Sequence, residues 1–267
     1  MDNILPKVYK NLSSYLMTNR AVSKEELMWR IGEELASLTE DEKKQLHESL
    51  EDDVQEMIFD GITGSVRLSV FSPDMHVQLN YLGEVFYTPP THKYIPEEME
   101  KAFRRLVHLR FPTISTLVEY ALRDIIKRAG YEMSDVEGQI KGVQKGIKAV
   151  KEDRELQLLM SPSIILVPEI MKELKKMPTV EHAIVVPPEK SPAPFVNFIR
   201  ENMDEVRKNA GMMIWVVDPN QKTVNPFMGT PKDKEIWKNF TDPDKSLQAT
   251  TNWIKGAMRS RVLDEDF

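Results

Sequence analysis

Two apolar runs, "HAIVV" at residues 182–186 and "MMIWVV" at 212–217, constrain the fold more than any other feature of this sequence. Neither alternates polar with apolar, so each reads as a strand covered on both faces, in a sheet buried between helices. Between them Phe195, Phe198, Ile199, Met203 and Val206 trace one face of a helix, and Gly211 ends it. A further run, "SIILV" at 163–167, reads as another buried strand followed by a short helix over 169–177. Beyond 217, Asp218-Pro219-Asn220-Gln221 marks a turn and "KTVNPFMG" an antiparallel return strand. A helix over 246–263 follows, with Leu247, Trp253, Ile254 and Met258 as its apolar side.

The first third follows a different rhythm. Leu5, Val8, Leu12, Tyr15 and Leu16 lie near one helical face. Ser23 with Glu26, and Thr39 with Glu42, are capping-box pairs that open two more helices. The second of these carries Leu46, Leu50, Val54, Met57 and Ile58 inward as far as Gly61 and Gly64. Val66, Leu68 and Val70 then alternate, Ser72-Pro73-Asp74 turns, and Met75, Val77, Leu79 and Tyr81 alternate back, which predicts a hairpin.

Helical periodicity returns at Tyr94. Pro96 suits a first helical turn, Met99, Phe103, Leu106 and Val107 form a stripe, and Pro112 is expected to break it. Thr116 with Glu119 then opens a new helix that stops at Gly130. In "MSDVEGQIKGVQKGIKAVK", Val136, Ile140, Val143, Ile147 and Val150 recur at 4-3-4-3 spacing, which predicts one more helix. Gly138, Gly142 and Gly146 fall on another face of it, where each costs about 1 kcal/mol against alanine. Such a row lets a second helix come close or, beside Lys141, Lys145, Lys148 and Lys151, a phosphate backbone. No G-K-[ST] follows and no strand precedes it, so it is not a phosphate loop.

Composition sets outer bounds. A chain of 267 residues with 41% apolar content supports one large core or two modest ones. No cysteine is present, which removes disulfides, thiolate metal sites and cysteine nucleophiles. The five histidines have no helical metal-ligand spacing, and no G-x-S-x-G, H-E-x-x-H or dinucleotide glycine fingerprint occurs. No secretory signal is visible and the longest apolar runs are too short to span a bilayer, so a cytoplasmic protein without membrane contact is expected. Charge is uneven. Residues 1–100 carry 9 basic and 19 acidic side chains, and residues 101–200 carry 17 and 12. An acidic first third suits a protein partner, and a basic 101–154 region suits nucleic acid, through Arg104, Arg105, Arg123, Lys127, Arg128, Lys141, Lys145, Lys148 and Lys151.

Three helices and then a β-ribbon is the order of a winged helix, and residues 1–92 resemble that family in topology. The would-be reading helix carries Glu40, Asp41, Glu42, Glu48, Glu51, Asp52, Asp53, Glu56 and Asp60, a face that phosphates repel. Residues 182–226, a buried strand ending in charged residues, then a helix, then "IWVVDPNQKTV", resemble the second half of the restriction-endonuclease-like (PD-(D/E)xK) fold. That resemblance implies a nuclease-like sheet and, if catalysis is retained, Mg²⁺ or Mn²⁺ shared by carboxylates with a lysine orienting the attacking water. Glu119, Glu189 and Lys190 are then the catalytic candidates. The family needs an acid two residues before the lysine, and Pro188 occupies that place.

The sequence therefore predicts a mixed α/β chain in three parts: a winged-helix-like module over 1–92, a helical segment over 93–160, and an α/β sheet domain over 161–267. The expected function is non-catalytic binding or assembly with no cofactor and no metal, possible on nucleic acid. A divalent-metal nuclease and a ligand-sensing α/β protein are the alternatives. Antiparallel pairing of the strands at 163–167 and 182–186, with Glu119 near Lys190, favours the nuclease; parallel strands joined by a right-handed crossover favour the ligand-sensing sheet.

Overall fold

A computed structural model describes residues 4–49, 53–64, 77–89, 94–136, 143–174, 180–208 and 212–265. The fold class is mixed α/β, as expected, and the chain divides into two compact units, Met1–Leu109 and Arg110–Phe267.

In the first unit, α1 (Ile4–Asn19) buries Val8, Leu12 and Leu16, and a two-residue strand β1 (Val22–Ser23) follows. Ser23 caps α2 (Lys24–Ala36) by accepting the Glu26 N–H at 3.1 Å. The Thr39–Glu42 capping box forms reciprocally at the head of α3 (Glu40–Ser49). The helix expected to continue past Leu50 is in fact two. Asp53 caps a separate α4 (Val54–Thr63), and Gly64, at φ 73°, ends it. Strands β2 (Val77–Tyr81) and β3 (Glu84–Thr88) pair across Leu82-Gly83, both at positive φ, the backbone of a two-residue hairpin turn. The sheet order is β1-β3-β2. The expected limb Val66–Val70 and its turn lie outside the described residues.

One helix, α5 (Pro96–Arg128), replaces the two expected on either side of Pro112. Proline has no N–H to donate back to His108, yet the helix persists, because its stripe is buried both before and after the ring. Phe103 and Leu106 are buried in the first unit, and Val118, Leu122 and Ile126 in the second. That burial outweighs a proline cost of about 3 kcal/mol. Gly130, at φ 86°, ends α5 as expected.

The second unit is a six-stranded sheet: β4 (Glu132–Asp135), β5 (Lys145–Lys151), β6 (Arg154–Met160), β7 (Glu181–Val186), β8 (Met212–Asp218) and β9 (Thr223–Met228), adjacent in chain order. The helix expected over 134–151 is instead strand at both ends, and the sheet begins at Glu132 rather than at 161. Ile147 and Ala149 point into the core while Val150 stays exposed, a period of two that the 4-3 spacing concealed. Gly146 serves close approach within the sheet: a Cβ there would sit 2.8 Å from Val136. Gly138, Gly142 and Lys141 lie outside the described residues.

"SIILV" is not a strand. Ser163 accepts the Ile165 N–H to open a 3₁₀ turn, Ile164–Leu166, that runs into α6 (Val167–Leu174). The buried strand is β6, "RELQLLM", one segment earlier. A short apolar run does not distinguish a buried helix from a buried strand, and Ser163 with Pro168 carried the helix signal.

β6, β7 and β8 are mutually parallel, and β4, β5 and β9 run antiparallel to their neighbours. α6 and α7 (Ala193–Lys208) cover one face, packing Ile170, Phe195 and Phe198 on Ile184, Val186 and Ile214. The C-terminal half of α5 and α8 (Lys234–Asn239) cover the other, over Ala183, Val185 and Trp215. α9 (Pro243–Glu265) runs beside α7 and β9. The outer side of β9 is occupied by its own chain. Thr241 donates its N–H to the Val224 carbonyl (3.1 Å) and accepts the Val224 N–H (3.4 Å), while the Ser246 hydroxyl donates to the Pro226 carbonyl (2.7 Å).

Candidate functional site

The corner that follows β7 is rigid for local reasons. Pro187 is buried at the strand end, and Pro188 and Pro192 restrict the backbone into α7. The Ser161 N–H donates to the Val185 carbonyl (2.8 Å) and the Ser161 hydroxyl to the Ser163 carbonyl (3.1 Å). The buried Ser163 hydroxyl donates to the Glu189 carboxylate, tying the corner to the end of β6. Glu189 and Lys190 therefore sit at the carboxyl ends of the parallel strands, where open α/β sheets bind ligands.

They form the rim of a cleft of about 360 Å³. Its floor is the sheet face of Val216 and Asp218 on β8 and Thr223, Asn225 and Phe227 on β9; its walls are Pro192 and Phe195 at the start of α7 and Ser246, Ala249, Thr250 and Trp253 on α9. Register places Asp218 opposite Thr223 and Val216 opposite Asn225. Asp218 Oδ1 accepts the N–H groups of Asn220 (2.9 Å) and Gln221 (3.1 Å), which fixes the turn. Its other oxygen takes no hydrogen bond from the described residues. Phe195 meets Phe227 edge-on at 5.0 Å, and Phe227 meets Trp253 at 6.3 Å. The aromatic side chains thus form a row along the cleft, and Trp253 keeps 38% of its surface exposed.

Glu119 lies elsewhere. Its helix covers the opposite face of the sheet, and its carboxylate is engaged by Lys145 and by Arg123 (2.7 Å). Burial alone would raise its pKa, but those two cations outweigh it and hold the carboxyl below the usual carboxylate range. Arg123 also reaches Asp135 at 2.9 Å. Among the described residues no three histidine, aspartate or glutamate side chains are grouped to hold a metal ion.

The cations proposed from sequence for nucleic acid are mostly paired within the chain. Arg104 holds Glu100 through Nε (3.0 Å) and Nη2 (2.9 Å), Arg128 holds Asp124 (2.8 Å) and Lys148 holds Glu155 (2.7 Å). Arg105 donates to Glu26 at 2.7 Å and to the Ala21 carbonyl, beneath the first unit's core, where the Tyr15 hydroxyl donates to the same Glu26 oxygen. Burial first, and then Glu26, push the Tyr15 hydroxyl pKa up. Lys127 is exposed in the last turn of α5, and Lys141 lies outside the described residues.

Sequence reasoning missed a second constellation, at the amino ends of the parallel strands. Asp233, 6% exposed, caps α8 and accepts from the Glu235 N–H (2.9 Å), Lys151 (3.0 Å) and the Tyr131 hydroxyl (3.2 Å), with Arg154 at 3.6 Å. Burial would raise its pKa, but the Glu235 amide, Lys151 and Tyr131 together hold it below the ordinary value. The Tyr131 hydroxyl is pushed up to about 12, by burial first and then by Asp233. Lys151 also donates to the Ala129 carbonyl. Asp233 is thus buried and bonded through both of its oxygens.

Fold and cleft together define a three-layer α/β unit with a small-molecule-sized recess at the carboxyl ends of its parallel strands. A family model described as "Domain of unknown function (DUF6834), C-terminal domain" matches residues 168–242, from α6 through α8. That stretch contains the Pro188 corner, the floor of the cleft and Asp233. No curated protein sequence matches the chain. No helix among the described residues is long and apolar enough to cross a membrane.

Proposed function

We propose that this chain is a non-catalytic, cytoplasmic binding protein whose second unit takes a small ligand in the Pro188–Trp253 cleft. On this reading the acidic first unit docks a protein partner. The observation that carries the proposal is the cleft itself: about 360 Å³, at the low end of the range of small-molecule pockets, with an aromatic row and one half-engaged carboxylate. Parallel pairing of β6, β7 and β8 supports a ligand-sensing sheet. The helices of the first unit and its β1-β3-β2 sheet support the winged-helix-like reading of that module.

A nucleic-acid surface draws less support, because carboxylates accompany most of the cations it would use and lower the local potential. A fragment screen read by amide chemical shifts tests the proposal. Hits should cluster at Val216, Asn225 and Trp253, and hits scattered over the surface would sink it. The nuclease alternative predicts Mg²⁺- or Mn²⁺-dependent cleavage of DNA or RNA that is lost in Glu189→Ala and Lys190→Ala. The present reading predicts no cleavage.

A further inference from the structure

We infer that the cleft selects a small organic cation, an alkylammonium group seated between Asp218 and the Trp253–Phe227 aromatic row; this rests on the ligand-binding reading above. Charge is the first reason. The charged lining residues are two carboxylates, Glu189 and Asp218, and one ammonium, Lys190. Asp218 is the acid with unused capacity, since the turn amides occupy only Oδ1. A ligand that shuts water out of the cleft without supplying a positive partner leaves that second oxygen desolvated, which costs free energy.

The aromatic row is the second reason. An indole is the strongest of the aromatic faces for a cation, and the attraction grows as water is excluded. Trp253 on α9 is partly exposed, lies beside Phe227 and lines the recess. A partly exposed indole and a carboxylate that line one recess suit an alkylammonium ion.

Two features point to an anion, Lys190 at the rim and the start of α7. That helix places Pro194 at its second position, where no N–H exists. The helix end therefore lacks one of the amides an anion would use, and an anion there would face Asp218 and Glu189. The recess has room for an ammonium head group on a short chain. The same head group is available on a free metabolite or on a lysine side chain.

The experiment titrates the full chain with three probes at constant ionic strength: butyltrimethylammonium, hexanoate and 1-hexanol. Binding is read by tryptophan fluorescence and by amide and indole chemical shifts. The cation should saturate a site that shifts Val216, Asn225 and the Trp253 indole. Asp218→Asn keeps the acceptor that fixes the turn and should weaken binding about tenfold, as should Trp253→Leu. Both variants should keep the parent circular dichroism, which separates lost binding from lost fold. A neutral peptide with one trimethyl-lysine forms the last arm. Binding of either cation supports the assignment, and the tighter of the two names the source.

Cleft binding of hexanol or hexanoate in preference to the cation overturns this inference and leaves the ligand-binding reading standing. Cation binding unchanged in Asp218→Asn also overturns it. If no probe binds, the inference falls, and the fragment screen decides the broader reading separately.

Discussion

The two ends of the six-stranded sheet each present an aspartate, and the two are used in opposite ways. At the amino ends of the parallel strands Asp233 is buried and takes hydrogen bonds from an amide, a lysine and a tyrosine. At the carboxyl ends Asp218 is half-buried, spends one oxygen on a turn and lines a cleft. One end is bonded shut and ties α8, β5 and the start of β4 together. The other leaves polar capacity and aromatic surface facing solvent. Side-chain chemistry is the same in both places, so the difference lies in what the fold brings to it.

The sharpest way to break that comparison is to remove each carboxylate in turn. Asp233→Ala strands Lys151 and Tyr131 and deletes a helix cap, and should cost about 3 kcal/mol in chemical denaturation. Asp218→Ala should cost less than about 1 kcal/mol. Equal losses would mean the carboxyl end is as much an anchor as the amino end. Next in size is Gly146→Ala, at the amino end of β5, opposite Leu159 near the carboxyl end of β6. Its methyl must displace Val136, and a loss of about 1–3 kcal/mol is expected from thermal or denaturant unfolding. A neutral result would show β4 free to shift there.

The smallest effect is on pH dependence. The Asp233 carboxyl is held below its ordinary pKa, so its contribution is complete above the unfolded-state value near 4 and is lost as pH falls through the lower folded value. Asp233→Asn should flatten the acid limb of the stability profile. His182 acts in the same direction at higher pH. Burial depresses its pKa, against a Val180 backbone hydrogen bond and Glu155, so stability declines as pH drops below the usual imidazole value of 6.5. An acid limb that keeps its slope in Asp233→Asn would place the responsible proton elsewhere, with Glu119 as the next group to replace.

The parts of this fold legible in the sequence are those where a single pattern has a single reading. β7, α7, β8 and β9 came from continuous apolar runs, a clear helical stripe and an Asp-Pro turn. Misreadings fell where two periods fit the same residues. Val136, Val143, Ile147 and Val150 satisfy a helical spacing, but Ile147 and Ala149 alternate inward in β5. Polar Arg154, Glu155 and Gln157 hid β6, although Leu156, Leu158 and Met160 alternate onto one face of the sheet. At the cleft, Glu189 and Lys190 drew attention from sequence as charges at a strand end, and Asp218 as the start of a turn. Trp253 and Phe227 did not, because they read as core positions until the fold sets α9 across β9. Asp233 carried only the weak signal of a helix cap. Its partners at 131, 151 and 154 are distant in sequence, and no local rule links them.

The way Thr241 and Ser246 close over β9 bears on how this protein avoids others of its kind. An outer strand with open N–H and carbonyl groups is a template for a further strand, from an extended peptide or from a neighbouring molecule. Here the outward groups of Val224 are spent on Thr241, Pro226 has no N–H to offer, and its carbonyl is taken by Ser246. Growth of the sheet past β9, whether as productive peptide capture or as the first step of a fibril, is blocked by hydrogen bonds the chain makes to itself.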